Sequence, residues 1–322
     1  MGKDVIVACD FSSAEQTFAF LDKFTGRKPF VKIGMELYYA EGPEIVRQIK
    51  ARGHKIFLDL KLHDIPNTVK KSMAVLRNLD VDITNLHAAG TTAMMQAALE
   101  GLTRPDGTRP LLIAVTQLTS TDQEAMERDL MIHAPMDEVV MHYAETAKNA
   151  GLDGVVCSPL EAEKVHNRCG KNFLTVTPGV RFADGDVGDQ KRVMTPAAAK
   201  AIGSDYIVVG RPITAAKDPV AAYERCVAEF VDEELLDAEL DKVTGGMIDP
   251  AVDPIPVPIR WDSKNQPTHW RSSSGGAIHY CCPHCGGLLH QGALRRLYCD
   301  PCDEGWFFFN ARDFMRIGYF KG

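Results

Sequence analysis

Along the first 230 residues, short apolar runs rich in β-branched residues alternate with longer stretches whose apolar positions recur at helical spacing. The runs at 5–10 (VIVACD), 30–35 (FVKIGM), 55–61 (KIFLDLK) and 82–88 (DITNLHA) are predicted strands. So are 111–118 (LLIAVTQL), 154–159 (GVVCSP), 173–179 (FLTVTPG) and 206–211 (YIVVGR). Segments such as SAEQTFAFLDKF, GPEIVRQIKARG, NTVKKSMAVLRNL, DEVVMHYAETAKNAG and DPVAAYERCVAEF are predicted helices between and after them. Near-continuously apolar strands are those of a parallel sheet buried on both faces, and strict β–α alternation implies an α/β fold. Eight such units in about 230 residues have the count and size of a (β/α)8, or TIM, barrel. A doubly wound open sheet is the alternative, but ACDFSSAEQ stands after the first strand where that fold carries a Gly-rich phosphate turn.

The pattern changes after Phe230. An acidic stretch of helical character, VDEELLDAELDKV, leads into a segment rich in Pro, Gly and Ser, and cysteines crowd the chain from about Ala277. The predicted organisation is a barrel over 1–230, an acidic helix and linker over 231–276, and a small zinc-ribbon-like domain over 277–322.

Composition narrows the class without naming a chemistry. Of 322 residues, 45% are hydrophobic and 25% charged, as in ordinary soluble proteins. The net charge of −7 excludes coating of nucleic acid or anionic membrane through bulk charge, though a local cationic pocket for a small anion is compatible with it. MGKDVIVACD lacks the pattern of a signal peptide, Ile6 breaks the myristoylation motif, and no apolar run is long enough to span a bilayer. Cys9, Cys157, Cys169 and Cys226 are scattered thiols that suit a reducing compartment, so a cytoplasmic location is expected.

Charge collects where the strands end. Asp10 closes strand 1, Lys32 lies in strand 2, Asp59 and Lys61 in strand 3, and His87 near the end of strand 4. In a regular strand residues i and i+2 share a face, so Asp59 and Lys61 are predicted side by side. A surface ion pair would account for that pair alone. So many charged residues at one rim of a barrel, where barrel enzymes carry their chemistry, predict an active site instead. After strand 5 come Gln117 and Thr119. After strand 7 a long Gly- and Asp-rich loop carries Arg181 and Gln190, and strand 8 leads into Gly210 and Arg211. Loops 7 and 8 are the usual phosphate site of such barrels, and guanidinium forks match phosphate oxygens.

The stretch DLKLHDIPNT, with VKIG before it and TPGVR, GDQ and GRPIT after it, resembles bacterial orotidine 5′-phosphate decarboxylase over roughly residues 3–230. The resemblance implies that Lys32, Asp59, Lys61 and Asp64 form the family's alternating catalytic array. It also implies that Asp64, Ile65 and Thr68 enter the active site of a second subunit, giving a homodimer. Asp10 and Lys32 would contact the ribose, Thr119 the pyrimidine, and Gln190, Arg181 and Arg211, beside Gly210, the base and phosphate. No catalytic cofactor is implied: Lys61 would stabilise and protonate a C6 carbanion while Asp59 lies near the substrate carboxylate. His63 and His87 are expected to bond strand-end backbone rather than move protons. The metal-dependent keto-gulonate phosphate decarboxylases and hexulose phosphate synthases share Asp-x-Lys-x-x-Asp on strand 3. They carry an acidic metal ligand on strand 2, where this chain has Lys32.

In the tail, Cys282-x-x-Cys285 and Cys299-x-x-Cys302 are separated by thirteen intervening residues, a spacing that predicts a closed, structural zinc site. Cys281 offers a second register, and His284 and His290 are not needed as ligands. The mildly basic tail makes nucleic-acid binding the lesser expectation. A different class of function would make the ribbon the working end and the barrel a nucleotide-sensing scaffold; the intact Lys-Asp-Lys-Asp set speaks against it.

Overall fold

The computed structural model describes residues 3–183 and 194–232 in full, and between 268 and 321 the backbone of six strands. The chain divides into two compact units, Met1–Leu240 and Asp241–Gly322.

The first unit is a closed barrel of eight parallel strands in sequential order. It runs β1 (Asp4–Ala8), α1 (Ala14–Leu21), β2 (Phe30–Gly34), α2 (Met35–Glu41), α3 (Pro43–Ala51), β3 (Ile56–Leu62), α4 (Pro66–Leu76), β4 (Ile83–His87), α5 (Thr91–Leu102) and β5 (Leu111–Val115). It continues with α6 (Gln123–Leu130), α7 (Met136–Ala150), β6 (Gly154–Val156), α8 (Ala162–Cys169), β7 (Leu174–Pro178), α9 (Pro196–Ala201), β8 (Tyr206–Val209), α10 (Arg211–Thr214) and α11 (Pro219–Phe230). All eight predicted strands are present, and β8 closes on β1 through Asp4↔Tyr206 to Val7↔Val209. Several end earlier than the apolar runs suggest. Pro159 opens a helical turn after β6, and Arg211, predicted as strand, begins α10.

Local chemistry sets the helix starts. Ser13, Asp122, Thr195 and Asp218 each accept a backbone N–H two or three residues on, and Pro196 and Pro219 occupy first-turn positions where no N–H is required. The core between helices and barrel wall is continuous. Met94 and Met126 are buried in it, as their helical spacing predicts. Gly101 permits close approach of α5 to α4, since a β-carbon there would overlap the Lys70 carbonyl.

The lumen explains where the site lies. Ile6, Ala8, Phe30, Phe57, Ile83, Ile113, Val176 and Val208 form a separate apolar plug inside the barrel. Because alternate strand residues share a face, the next inward position after Phe30 is Lys32, after Phe57 Asp59, and after Ile83 Asn85. The interior therefore changes from apolar to charged within one pleat, towards the C-terminal strand ends.

In the second unit, β9 (Thr268–Arg271) pairs antiparallel with β10 (Ile278–Cys281). β11 (His290–Gln291), β12 (Arg296–Cys299), β13 (Glu304–Phe308) and β14 (Ile317–Lys321) form an antiparallel sheet in that order. β9 falls inside the segment predicted as linker. The zinc ligands expected at Cys282, Cys285, Cys299 and Cys302 lie outside the residues whose side chains are described, as do Gln190 and the predicted acidic helix.

Candidate active site

At the C-terminal mouth of the barrel, one buried carboxylate organises the charges. Asp59 is 7% exposed. Its Oδ1 accepts from Lys61 Nζ at 2.6 Å and from Asn85 Nδ2 at 2.7 Å, and its Oδ2 lies 3.4 Å from Lys32 Nζ. Lys32 Nζ also donates to Asp10 Oδ1 at 2.9 Å. The chain of contacts Asp10–Lys32–Asp59–Lys61 thus links strands β1, β2 and β3, as the strand-end reading predicts.

Burial alone would push the Asp59 carboxyl up. Lys32 and Lys61, with the hydrogen bonds from Lys61 and Asn85, outweigh it and hold the group below the usual carboxylate range. Burial likewise disfavours charge on Lys32, but Asp59 and Asp10 overcome it and raise the ammonium above its ordinary value. Both groups are held ionised in a largely dry setting. Cys9, buried beneath Lys32, has its thiol pushed up to about 12 chiefly by burial, so it is inert packing here.

The Asp59–Lys61 contact forms as predicted, but on an irregular stretch of β3. Pairing of β3 with β4 slips between Leu58↔Thr84 and Leu62↔Leu86, a step of four residues on β3 against two on β4. Lys61 sits in the bulge with φ of 50°, a left-handed conformation uncommon for a side chain of this size. Leu58, Leu60 and Leu62 keep to the outer core while Phe57 lines the lumen, so Asp59 and Lys61 still share the inward face, and the bulge alters the backbone that presents the ammonium. The bulge is held by Asn85, which is fully buried and whose Oδ1 accepts the Lys61 N–H at 2.8 Å. Asn85 was not singled out from sequence. The available signal was an amide on the inward parity of β4, between Ile83 and His87.

A cavity of about 160 Å³ opens beside this cluster. Phe57, Val115, Val156, Pro178 and Val208 give it apolar walls, and Lys32, Asp59, Lys61, Gln117 and Thr119 give it polar ones. Such a mixture suits a flat polar ring on an apolar floor. Thr119 is where the resemblance placed a pyrimidine contact. Gly210 follows β8 directly and Arg211 is exposed at the start of α10. Arg181, half-buried, donates from Nη1 to the Val180 carbonyl and enters the segment at 184–193 that lies outside the described residues.

Other expected residues stand apart from the cluster within one chain. Asp64, Ile65 and Thr68 are all exposed, Ile65 at 66%. The Asp64 carboxylate accepts the Ile65 N–H at 2.6 Å and makes no ion pair with Lys61. His63 and His87 were expected to bond backbone. Instead their rings face each other, centroids 5.6 Å apart and tilted by 36°. His87 titrates below its ordinary value, first through burial and then through His63 and Lys61.

Together these features are those of a (β/α)8-barrel enzyme that works with fixed charges at its strand ends. The sequence profile described as Orotidine 5′-phosphate decarboxylase / HUMPS family matches residues 3–226. The chain is 55% identical over 237 residues to an orotidine 5′-phosphate decarboxylase of Geobacillus sp., a match covering 73% of this chain and 99% of the relative. It is 58% identical over 229 residues to the enzyme of the same description from Streptococcus thermophilus, covering 71% and 97%. Among solved structures, orotidine 5′-phosphate decarboxylase from Lactobacillus acidophilus superposes with a TM-score of 0.65 at 44% identity, covering 71% of this chain and all of that one. The chain belongs to this family, and it is a decarboxylase, a carbon–carbon lyase.

Proposed function

We propose that the chain converts orotidine 5′-phosphate to uridine 5′-phosphate in pyrimidine nucleotide synthesis, without a metal or organic cofactor. The observation that carries this reading is the buried Asp59 carboxylate shared by Lys32, Lys61 and Asn85 at the edge of an apolar-walled cavity. The pyrimidine lies over Phe57, Val115 and Pro178 beside Thr119, and its C6 faces Lys61. The C6–carboxylate bond breaks, CO₂ departs, and the electron pair left at C6 is stabilised by the Lys61 ammonium. Lys61 then gives a proton to C6 and recovers one from solvent. Asp59 opposes the substrate carboxylate in the ground state and holds Lys61 in line. Asp10 and Lys32 bind the ribose, while Arg181, Gln190, Gly210 and Arg211 hold the phosphate, so binding far from C6 supports the chemical step.

The family description also covers HUMPS members. Lys32, bonded to Asp10 and Asp59, puts an ammonium where a divalent cation would have to sit, which favours the metal-free reading. A homodimer completes the site: Asp64, Ile65 and Thr68 are exposed to solvent in the single chain. Ile65, Met35 and Tyr39, each shortly after a strand end, leave apolar surface exposed for a partner. In the tail, structural zinc at Cys282, Cys285, Cys299 and Cys302 rests on the paired CxxC spacing. It rests also on the backbone register Cys299↔Glu304, which puts the second CxxC at the connection of β12 and β13.

The test is loss of orotidine 5′-phosphate absorbance with the purified chain in excess chelator. Sustained turnover supports the metal-free decarboxylase; absence of turnover by folded protein, with or without added divalent metal, overturns it.

A further inference from the structure

Asn85 lies on β4, carries no charge and has no place in the reaction scheme above, yet both ends of its amide are engaged inside the catalytic cluster. Nδ2 donates to Asp59 Oδ1 at 2.7 Å, and Oδ1 accepts the backbone N–H of Lys61 at 2.8 Å. Only one orientation of the amide satisfies both contacts, because a carboxylate needs a donor and an N–H needs an acceptor. The neighbouring Thr84, also fully buried, donates from Oγ1 to the Leu58 carbonyl at 3.1 Å. Two successive side chains of β4 therefore serve backbone groups on either side of the bulge.

We propose that Asn85 is a positioning residue for the decarboxylation. Its amide sets the distance between the Asp59 carboxylate and the left-handed backbone of Lys61, and so aims the ammonium at the reacting carbon. This rests on the decarboxylase reading given above. A left-handed lysine persists only where its surroundings over-determine it, and here one amide ties its N–H to the carboxylate that its own Nζ must meet. The charged groups facing that carboxylate are Lys32 and Lys61, with Asp10 beyond Lys32 and His87 one inward position further along β4. Without the amide, Lys61 N–H loses its partner in a partly buried position and Asp59 Oδ1 can turn, which displaces Nζ while the phosphate and ribose contacts stay in place.

The experiment compares wild type, Asn85→Ala and Asn85→Asp for kcat, KM and the pH profile of kcat, with thermal melting as the check on folding. Misplacement of a reacting group by an ångström can cost about a hundredfold. Asn85→Ala is accordingly expected to lower kcat by about ten- to a hundredfold, with KM within about threefold. Asn85→Asp keeps the shape and the acceptor for Lys61 N–H but sets a second carboxylate against Asp59. It is expected to fold, and to move the acid limb of the kcat profile to higher pH. The proposal is overturned if kcat of both variants stays within about twofold of wild type. It is equally overturned if kcat falls in step with melting temperature while the acid limb stays put, as a merely structural residue would behave. An inactive wild type would remove the decarboxylase reading itself, and the proposal with it, a result distinct from active wild type with unaffected variants.

Discussion

The two ends of the barrel both carry lysines, arginines and aspartates, and use them in opposite ways. At the N-terminal end a cavity of about 410 Å³ is lined by Lys3, Lys55, Arg104 and Arg109 together with Asp4, Asp80 and Asp82. Each cation there lies within reach of a carboxylate, and one of these, the buried Asp4, is shared by Lys55 and Arg27. Lys3 lies 3.4 Å from Asp205, Lys55 3.5 Å from Asp4, Arg104 3.6 Å from Asp80, and Arg109 forms a two-pronged pair with Asp153. At the C-terminal end two lysines share one buried carboxylate, and a third group, Asn85, is needed to hold it. Ion pairs at this rim neutralise charge and fasten neighbouring strands. A shared, desolvated carboxylate concentrates cationic charge beside an apolar cavity, which is what a developing carbanion requires. On the proposed reaction the smaller cavity, not the larger, is where the chemistry takes place.

Substitutions should separate the ends sharply. Asp59→Ala removes the partner common to both lysines. Turnover is expected to fall by about 10³-fold or more, the scale of losing a preorganised electrostatic group, with stability lower by about 3 kcal/mol from the uncompensated lysines. Steady-state kinetics and denaturant melts measure both; unchanged turnover would erase the distinction between the ends.

Acid and base should expose the same cluster. Asp59 titrates below 3.8 in the folded chain, so its contribution is present above about pH 4 and is lost as pH falls through the folded value. Lys32 titrates above 10.5, so its contribution is present below that pH and is lost as pH rises through the folded value. His87 and His54 titrate below 6.5, so on acidification from 6.5 the unfolded chain takes up protons first and stability declines. A thermal midpoint level between about pH 7 and 8, falling on the acid side, is the expected profile. It falls again above about pH 9, where unfolded thiols ionise while the buried Cys9 and Cys226 thiols, pushed up to about 12, stay protonated. His87→Gln should flatten part of the first acid decline, leaving the share that His54 contributes.

The smallest effect is expected at the opposite rim. Arg109→Ala breaks a partly exposed pair and should cost about 1 kcal/mol or less, with turnover within about twofold. A large loss of turnover there would show that the N-terminal cavity matters to the reaction.

The barrel was legible in the sequence because its strands are buried on both faces and its helices on one, so apolar runs and helical periodicity report them directly. Lys32, Asp59 and Lys61 were legible as charges at strand ends. So was the Asp59–Lys61 contact; the bulge and the left-handed backbone at Lys61 were not, because they leave no mark on a pattern that assumes a regular pleat. Asn85 was missed for a related reason: one neutral amide in an apolar strand looks like packing until the backbone it serves is seen. The pairing of His63 with His87 brings together rings from two different strand ends, which no pattern along the chain reports. β9 was hidden because THWR carries too few apolar residues to stand out from its Pro- and Ser-rich surroundings.

The account stands most directly on Lys61, and the decisive measurement is turnover of orotidine 5′-phosphate by Lys61→Ala beside wild type in chelator. Matched melting curves would show that both chains are folded. Loss of about 10³-fold or more in kcat with the melting curve retained is the predicted result. A folded Lys61→Ala chain that turns over at near the wild-type rate would contradict it, and the proton would then have to come from elsewhere in the site.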